Sequence, residues 1–204
     1  MPFTPARLPY PLPRHRNASG RSAIVGMMGY AQSGKDTVAA RLVAEHGFRR
    51  YAFADALKRV ALGIDPIVSV LDDFTRVHLS DVVDQYGWEA AKRAPEVRRV
   101  LQHTGMVIRD TLGADTWVKE VTRKFYAEDM PIVVTDVRFP NEVDAIRRKG
   151  GILVRVVRPG TGPVNAHASE TAVDDVRPDW TFTNDSTIEA LHASVDAWYA
   201  EETS

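Results

Sequence analysis

The chain has no cysteine among its 204 residues. That removes a disulfide framework, a thiolate nucleophile and Cys-ligated zinc together. No run of about 18 apolar residues occurs, so nothing in the sequence suits a membrane-spanning helix. An excess of one charge is also missing: Lys and Arg number 26, Asp and Glu 27, for a formal net charge of −1. Such a balance lacks the basic surplus of a nucleic-acid-binding surface, and no stable nucleic-acid partner is expected. No internal repeat is present. At this length one sizeable α/β core fits and two do not. A cytoplasmic enzyme is the default expectation.

What charge and proline there is falls unevenly. Residues 1–21 hold Arg7, Arg14, Arg16 and Arg21, no acid, and prolines at 2, 5, 9, 11 and 13. The segment has too little apolar content to fold and reads as a mobile, extended arm. It is no secretory signal, because no apolar stretch follows its basic residues. Residues 22–204 are left as one domain.

Within that domain, apolar runs alternate with amphipathic stretches, the pattern of a parallel sheet flanked by helices. Strands are expected at Ala23–Met28, Phe48–Phe53, Ile132–Val137, Ile152–Val157 and Trp180–Thr183. Helices are expected at Lys35–His46, Ala54–Gly63, Leu79–Lys92, Pro95–Leu112, Thr116–Ala127, Asn141–Lys149 and Thr187–Ala200. Pro95 suits a first helical turn, Gly47, Gly113 and Gly150 suit helix stops, and Ser186 with Glu189 suits a capping box. The long, mostly helical gap between the second and third strands reads as an insertion at 54–128, on the sheet edge where ligands bind. Arg158-Pro159-Gly160-Thr161-Gly162-Pro163 opens a lid-like excursion over 158–178.

The first strand runs into Gly29-Tyr30-Ala31-Gln32-Ser33-Gly34-Lys35-Asp36-Thr37, a GxxxxGK phosphate-binding loop, and a helix-like pattern leaves it. Glycines allow successive N–H groups to turn inward at a helix N-terminus, which makes an anion cradle. Lys35 adds a full charge beside the outer phosphates of a nucleoside triphosphate. Where Ser or Thr ordinarily follows GK, Asp36 stands here. A carboxylate suits a hydrated Mg²⁺, which prefers oxygen ligands and keeps several waters.

Other polar positions gather at strand ends. Asp136, after Ile132–Thr135, sits like an acid that assists magnesium, and Arg138 is suited to clamp phosphoryl oxygens. Asp55, in Phe53-Ala54-Asp55-Ala56-Leu57-Lys58, is either a helix N-cap or, with Lys58 one turn on, part of an acceptor site. Arg109 follows apolar Val107 and Ile108, unlike Arg93, Arg98 and Arg99, which read as a solvated face. Gln102 suits either a base edge or plain surface. Trp88 and Trp117 read as core. His167 and Glu170 alone make no metal constellation. Asn184, in Phe182-Thr183-Asn184-Asp185, lies in a polar turn suited to a nucleotide base.

SGKDT, FADALK, Gln102…Arg109…Trp117, TDVRFPNE, His-x-Ser-Glu and the final TND turn together resemble the deoxynucleoside monophosphate kinases of bacteriophages, over nearly all of 22–200. The Asp after the loop lysine is shared with phosphomevalonate kinases. The resemblance implies a P-loop kinase three-layer sandwich, a five-stranded parallel sheet with a helical monophosphate-binding insertion and a lid. It implies ATP and Mg²⁺ as cofactors, with ATP on Gly29, Gln32, Ser33, Gly34, Lys35, Asp36, Thr37 and Asn184. It implies a deoxynucleoside monophosphate near Asp55, Lys58, Gln102, Arg109, Arg138 and Glu170. Lys35, Arg138 and Asp136 are the expected catalytic groups, and Asp36 and Asp136 the expected magnesium partners through water. A kinase of another small acceptor, dephospho-coenzyme A or phosphomevalonate, stays open, as does a nucleotide-dependent switch. The oligomeric state is open between monomer and homodimer. A phage-encoded chain would work in its host's cytoplasm.

Overall fold

A computed structural model describes residues 23–127, 129–162 and 172–203. The basic arm over 1–21, the His167–Glu170 motif and the middle of the 158–178 excursion lie outside those residues. The chain divides into two units. One comprises the residues up to Ala52 and those from Val121 onward, and the other is Phe53–Glu120.

Along the chain the first elements are β1 (Ile24–Met28), α1 (Lys35–His46) and β2 (Arg49–Tyr51). Next come α2 (Ala54–Ile64), β3 (Ile67–Val70), β4 (Arg76–His78), α3 (Leu79–Ala91) and α4 (Pro95–Leu112). After α5 (Thr116–Thr122) and α6 (Lys124–Ala127), β5 (Ile132–Val134), α7 (Pro140–Arg148), β6 (Ile152–Val157), β7 (Trp180–Thr183) and α8 (Ile188–Glu202) complete the order.

The first unit is a three-layer sandwich. Its sheet has five parallel strands in the order β2-β5-β1-β6-β7, with Val25 beside Val133 on one side and Ile152 on the other. Every residue of β1 and β5 is buried, as helices on both faces require. Val25 and Met27 point to one face, where Val38 and Leu42 of α1 and Leu191, Val195 and Trp198 of α8 close the core. Gly26 faces the other side, and a Cβ there would collide with Ile146 of α7. Burial of each large side chain in these layers is worth about 1.5–3 kcal/mol. A polar clasp also joins α1 to α8. Arg41 reaches Asp196 with two hydrogen bonds, at 3.0 and 2.6 Å, and His46 meets the same carboxylate at 2.9 Å. The Arg41 hydrogen bonds are the main cause that holds the Asp196 carboxyl down to about 2.

The second unit packs α2, α3 and α4 around Ala61, Leu79, Ala91, Val97 and Leu101. Gly105 of α4 lets Leu57 of α2 approach, with 3.3 Å to a Cβ built on the glycine. Between α2 and α3 stands an antiparallel hairpin, β3–β4, in a stretch for which neither helix nor strand was expected. Its tip has no glycine; Phe74 takes the left-handed conformation instead, with φ 64°.

Other expectations shift at their edges. β2 keeps only Arg49–Tyr51; Phe48, Ala52 and Phe53 are buried but lie outside the strand. β5 ends at Val134, although the Val137 N–H still reaches the Met27 carbonyl at 3.1 Å. Gly87, with φ 73° and ψ 165°, interrupts α3, and the helix expected over Thr116–Ala127 breaks at Arg123. The cap of α8 is Thr187, whose hydroxyl accepts from the Ala190 N–H, in place of a Ser186–Glu189 box.

Candidate functional site

The loop between β1 and α1 is shaped by three residues with positive φ: Gly29 at 135°, Gln32 at 63° and Gly34 at 105°. Close neighbours leave no room for side chains at the glycines. A Cβ on Gly29 would run into the Val156 carbonyl, and one on Gly34 would lie 2.5 Å from Asn184 Nδ2. Asn184, just past β7, donates that amide to the Ser33 carbonyl at 2.9 Å. Its observed role is therefore to brace the loop backbone. Lys35 curls over the same loop and donates to the Gly29 and Tyr30 carbonyls, each at 2.6 Å. Gln32 and Asp36 are exposed, Thr37 is half-buried, and Asp36 lies in the first turn of α1.

Ser33 is 1% exposed, and its hydroxyl has no hydrogen-bond partner among the described residues. A buried unmet hydroxyl costs stability unless a ligand or water meets it. It sits in a glycine-lined turn at a helix N-terminus with a lysine overhead, a donor set that fits a polyphosphate. The carboxylates Asp36 and Asp136 have the oxygen chemistry that suits Mg²⁺.

Beyond β5 the backbone turns through Asp136, Val137 and Arg138 into α7. Asp136 is half-buried, Val137 buried and Arg138 exposed. Strand alternation does not govern Asp136 and Arg138, since both lie past the end of the strand. Glu142, 4% exposed, accepts from the Arg138 N–H at 2.7 Å and the Phe139 N–H at 3.0 Å.

A cavity of about 200 Å³ opens at the carboxyl ends of β1, β5 and β6, lined by Met28, Gly29, Tyr30, Arg138, Arg155 and Asp174 among others. This is where open α/β sheets bind ligands. Tyr30 donates its hydroxyl to Asp174 at 2.8 Å across the opening. Arg155 donates to the carbonyls of Val173, Asp174 and Val176, at 2.7 to 3.0 Å, and ties that segment to β6. Arg158, which opens the 158–178 excursion, is exposed and does not line the cavity.

Asp55, Lys58, Gln102 and Arg109 all belong to the second unit. Asp55 is the second residue of α2 and not its cap, which is Phe53. Lys58 Nζ lies 3.8 Å from the Asp55 carboxylate and 5.5 Å from the Trp88 ring centre, so this part of FADALK is one polar cluster on α2. Gln102 and Arg109 are half-buried on α4, and Trp117 is buried. Glu170 lies outside the described residues.

Sequence reasoning missed Glu142, Arg155, Tyr30 and Asp174. The spacing Phe139-Pro140-Asn141-Glu142 does carry a capping-box signal for Glu142. The other three meet only through tertiary contact.

Comparison with known proteins adds a family. The model of the family described as deoxynucleotide monophosphate kinase matches residues 68–195. A putative deoxynucleotide monophosphate kinase of Acanthamoeba polyphaga mimivirus is 27% identical over 195 residues, covering 84% of this chain and 93% of that protein. An uncharacterized protein, ORF77, of Ictalurid herpesvirus 1 is 36% identical, over 51% of this chain and 48% of its own length. The deoxynucleotide monophosphate kinase of Enterobacteria phage T4 is 31% identical, over 48% of this chain and 43% of its own length. This chain thus spans nearly all of the mimivirus protein but under half of the other two.

Proposed function

The chain belongs to the deoxynucleotide monophosphate kinase family and is a phosphotransferase acting on nucleotides, and from that premise we propose that it moves the γ-phosphoryl group of ATP to a deoxynucleoside 5′-monophosphate, giving a deoxynucleoside diphosphate and ADP. The observation that carries the ATP half is the loop. A buried Ser33 hydroxyl with no partner among the described residues and a lysine folded over the loop's Gly29 and Tyr30 carbonyls make a cradle suited to an anion.

Phosphoryl transfer asks little covalent chemistry of the protein; it asks for positioning and for charge at the transferring group. Lys35 exchanges its two carbonyl partners for phosphate oxygens, acceptors that carry full charge and bind an ammonium more strongly. Asn184 keeps the loop backbone in shape through Ser33. Arg138, which lines the cavity, holds oxygens of the phosphoryl group whose phosphorus the acceptor attacks. Asp36 and Asp136 would hold hydrated Mg²⁺, which would supply positive charge to neutralise the phosphates. Asp55, Lys58, Gln102 and Arg109 of the second unit hold the acceptor; the resemblance also gives the acceptor Glu170, which lies outside the described residues.

The test is an ADP-release assay over all deoxy- and ribonucleoside monophosphates, with dephospho-coenzyme A and phosphomevalonate as alternative acceptors. ADP should form only with a deoxynucleoside monophosphate. Turnover with one of the other two acceptors would reassign the substrate, and ADP release without any acceptor would make the protein an NTPase.

A further inference from the structure

We infer that Glu142 is a positioning residue for phosphoryl transfer: its buried carboxylate fixes the backbone from which Arg138 reaches into the cavity. The inference rests on the role proposed above for Arg138. A carboxylate only 4% exposed is costly to bury unless hydrogen bonds compensate it. Glu142 spends one oxygen, Oε2, on two adjacent backbone N–H groups, Arg138 at 2.7 Å and Phe139 at 3.0 Å.

A plain helix cap would account for the second bond and not the first. In a capping box the acid three residues into the helix accepts from the N-cap N–H, which here is Phe139. The shorter bond goes one residue further upstream, to Arg138, which lines the cavity. The surrounding backbone is fixed from both sides. The Val137 N–H is tied to Met27 of β1 at 3.1 Å. Pro140 opens α7 and restricts Phe139 to its extended conformation, φ −128° and ψ 151°. Glu142 closes the remaining freedom between those anchors. Displacement of a charge-bearing side chain by about 1 Å can cost a hundredfold in rate, so such an anchor matters to transfer as well as to folding.

The experiment is a double-mutant cycle of Glu142→Ala and Arg138→Met in the full chain, with kcat and KM for ATP and for a deoxynucleoside monophosphate, and Tm for every variant. Glu142→Gln, which keeps the shape and an acceptor oxygen, runs through the same cycle and serves even if the alanine variant does not fold. Glu142→Ala should lower kcat about 10–100-fold, and Glu142→Gln, whose neutral oxygen holds the two N–H groups more weakly than a carboxylate, should lower it by a smaller but measurable factor. Neither should lower kcat further once Arg138 is methionine, although Tm falls equally in both backgrounds. Loss of Tm with parental kcat and KM would reduce Glu142 to a helix cap and overturn the inference. So would a kcat loss that multiplies with that of Arg138→Met. Parental kinetics in Arg138→Met alone would overturn the role of Arg138 itself, and this inference with it.

Discussion

Replacement of Gly34 by alanine tests the geometry of the phosphate loop, because two separable costs meet at that residue. Its φ of 105° is unfavourable for any L-residue, a strain of about 1–2 kcal/mol. The new Cβ would also lie 2.5 Å from Asn184 Nδ2, so the amide must leave the Ser33 carbonyl. Loss of that hydrogen bond adds about 0.5–1.5 kcal/mol. The sum is about 1.5–3.5 kcal/mol, and at this chain length Tm should fall by about 3–14 °C. Calorimetry on Gly34→Ala, Asn184→Ala and the double variant separates the parts. The hydrogen bond is lost once in the double variant but counted in each single one. The two single losses should therefore exceed the double by about 0.5–1.5 kcal/mol. Additivity within about 0.3 kcal/mol, or a Gly34→Ala protein as stable as its parent, would refute the contact between Gly34 and Asn184.

Lys35→Met should lower kcat by orders of magnitude while the protein stays folded, and comparable rates in variant and parent would remove the loop from the mechanism. Asp36→Asn should shift the magnesium dependence of the rate to higher concentration, because an anionic acceptor becomes a neutral amide; an unchanged curve with a lowered Tm would leave Asp36 only its favourable place at the helix N-terminus, worth about 0.3–1 kcal/mol. The Asp196 carboxyl lies below its ordinary 3.8, at about 2. Its contribution is therefore present above the unfolded value and fades as pH falls from about 4 towards 2. The clasp is partly exposed, which limits it to about 1 kcal/mol; Asp196→Asn should cost about 2–4 °C of Tm at neutral pH, and an equal cost at pH 2.5 would show that the charge is not its source.

The sheet was legible where burial on both faces leaves an unbroken apolar run, as in Ile152–Val157, which stands as expected. It was less legible at β2, where Phe48 and Phe53 are as apolar as strand residues yet lie outside the strand. The hairpin escaped because its turn, Asp72-Asp73-Phe74-Thr75, offers no glycine to mark it; Phe74 itself takes the positive φ. The break at Arg123 has neither proline nor glycine beside it. At the site, the loop was legible because anion cradles need glycines at fixed offsets. The bonds made by Asn184, Arg155 and Tyr30 depend on partners about 20 to 150 residues away, which spacing does not encode.

The position of β1 has a consequence for synthesis. This first strand is fully buried between β5 and β6, yet more than a hundred residues separate Met28 from Ile132. At about 5–20 residues per second, a ribosome leaves Ile24–Met28 without strand partners for roughly 5–20 s. What emerges in that interval is largely the second unit, which supplies none of the missing ladder. A nascent chain of this protein therefore carries a fully buried strand unpaired for about half of its translation, a natural target for a holdase chaperone.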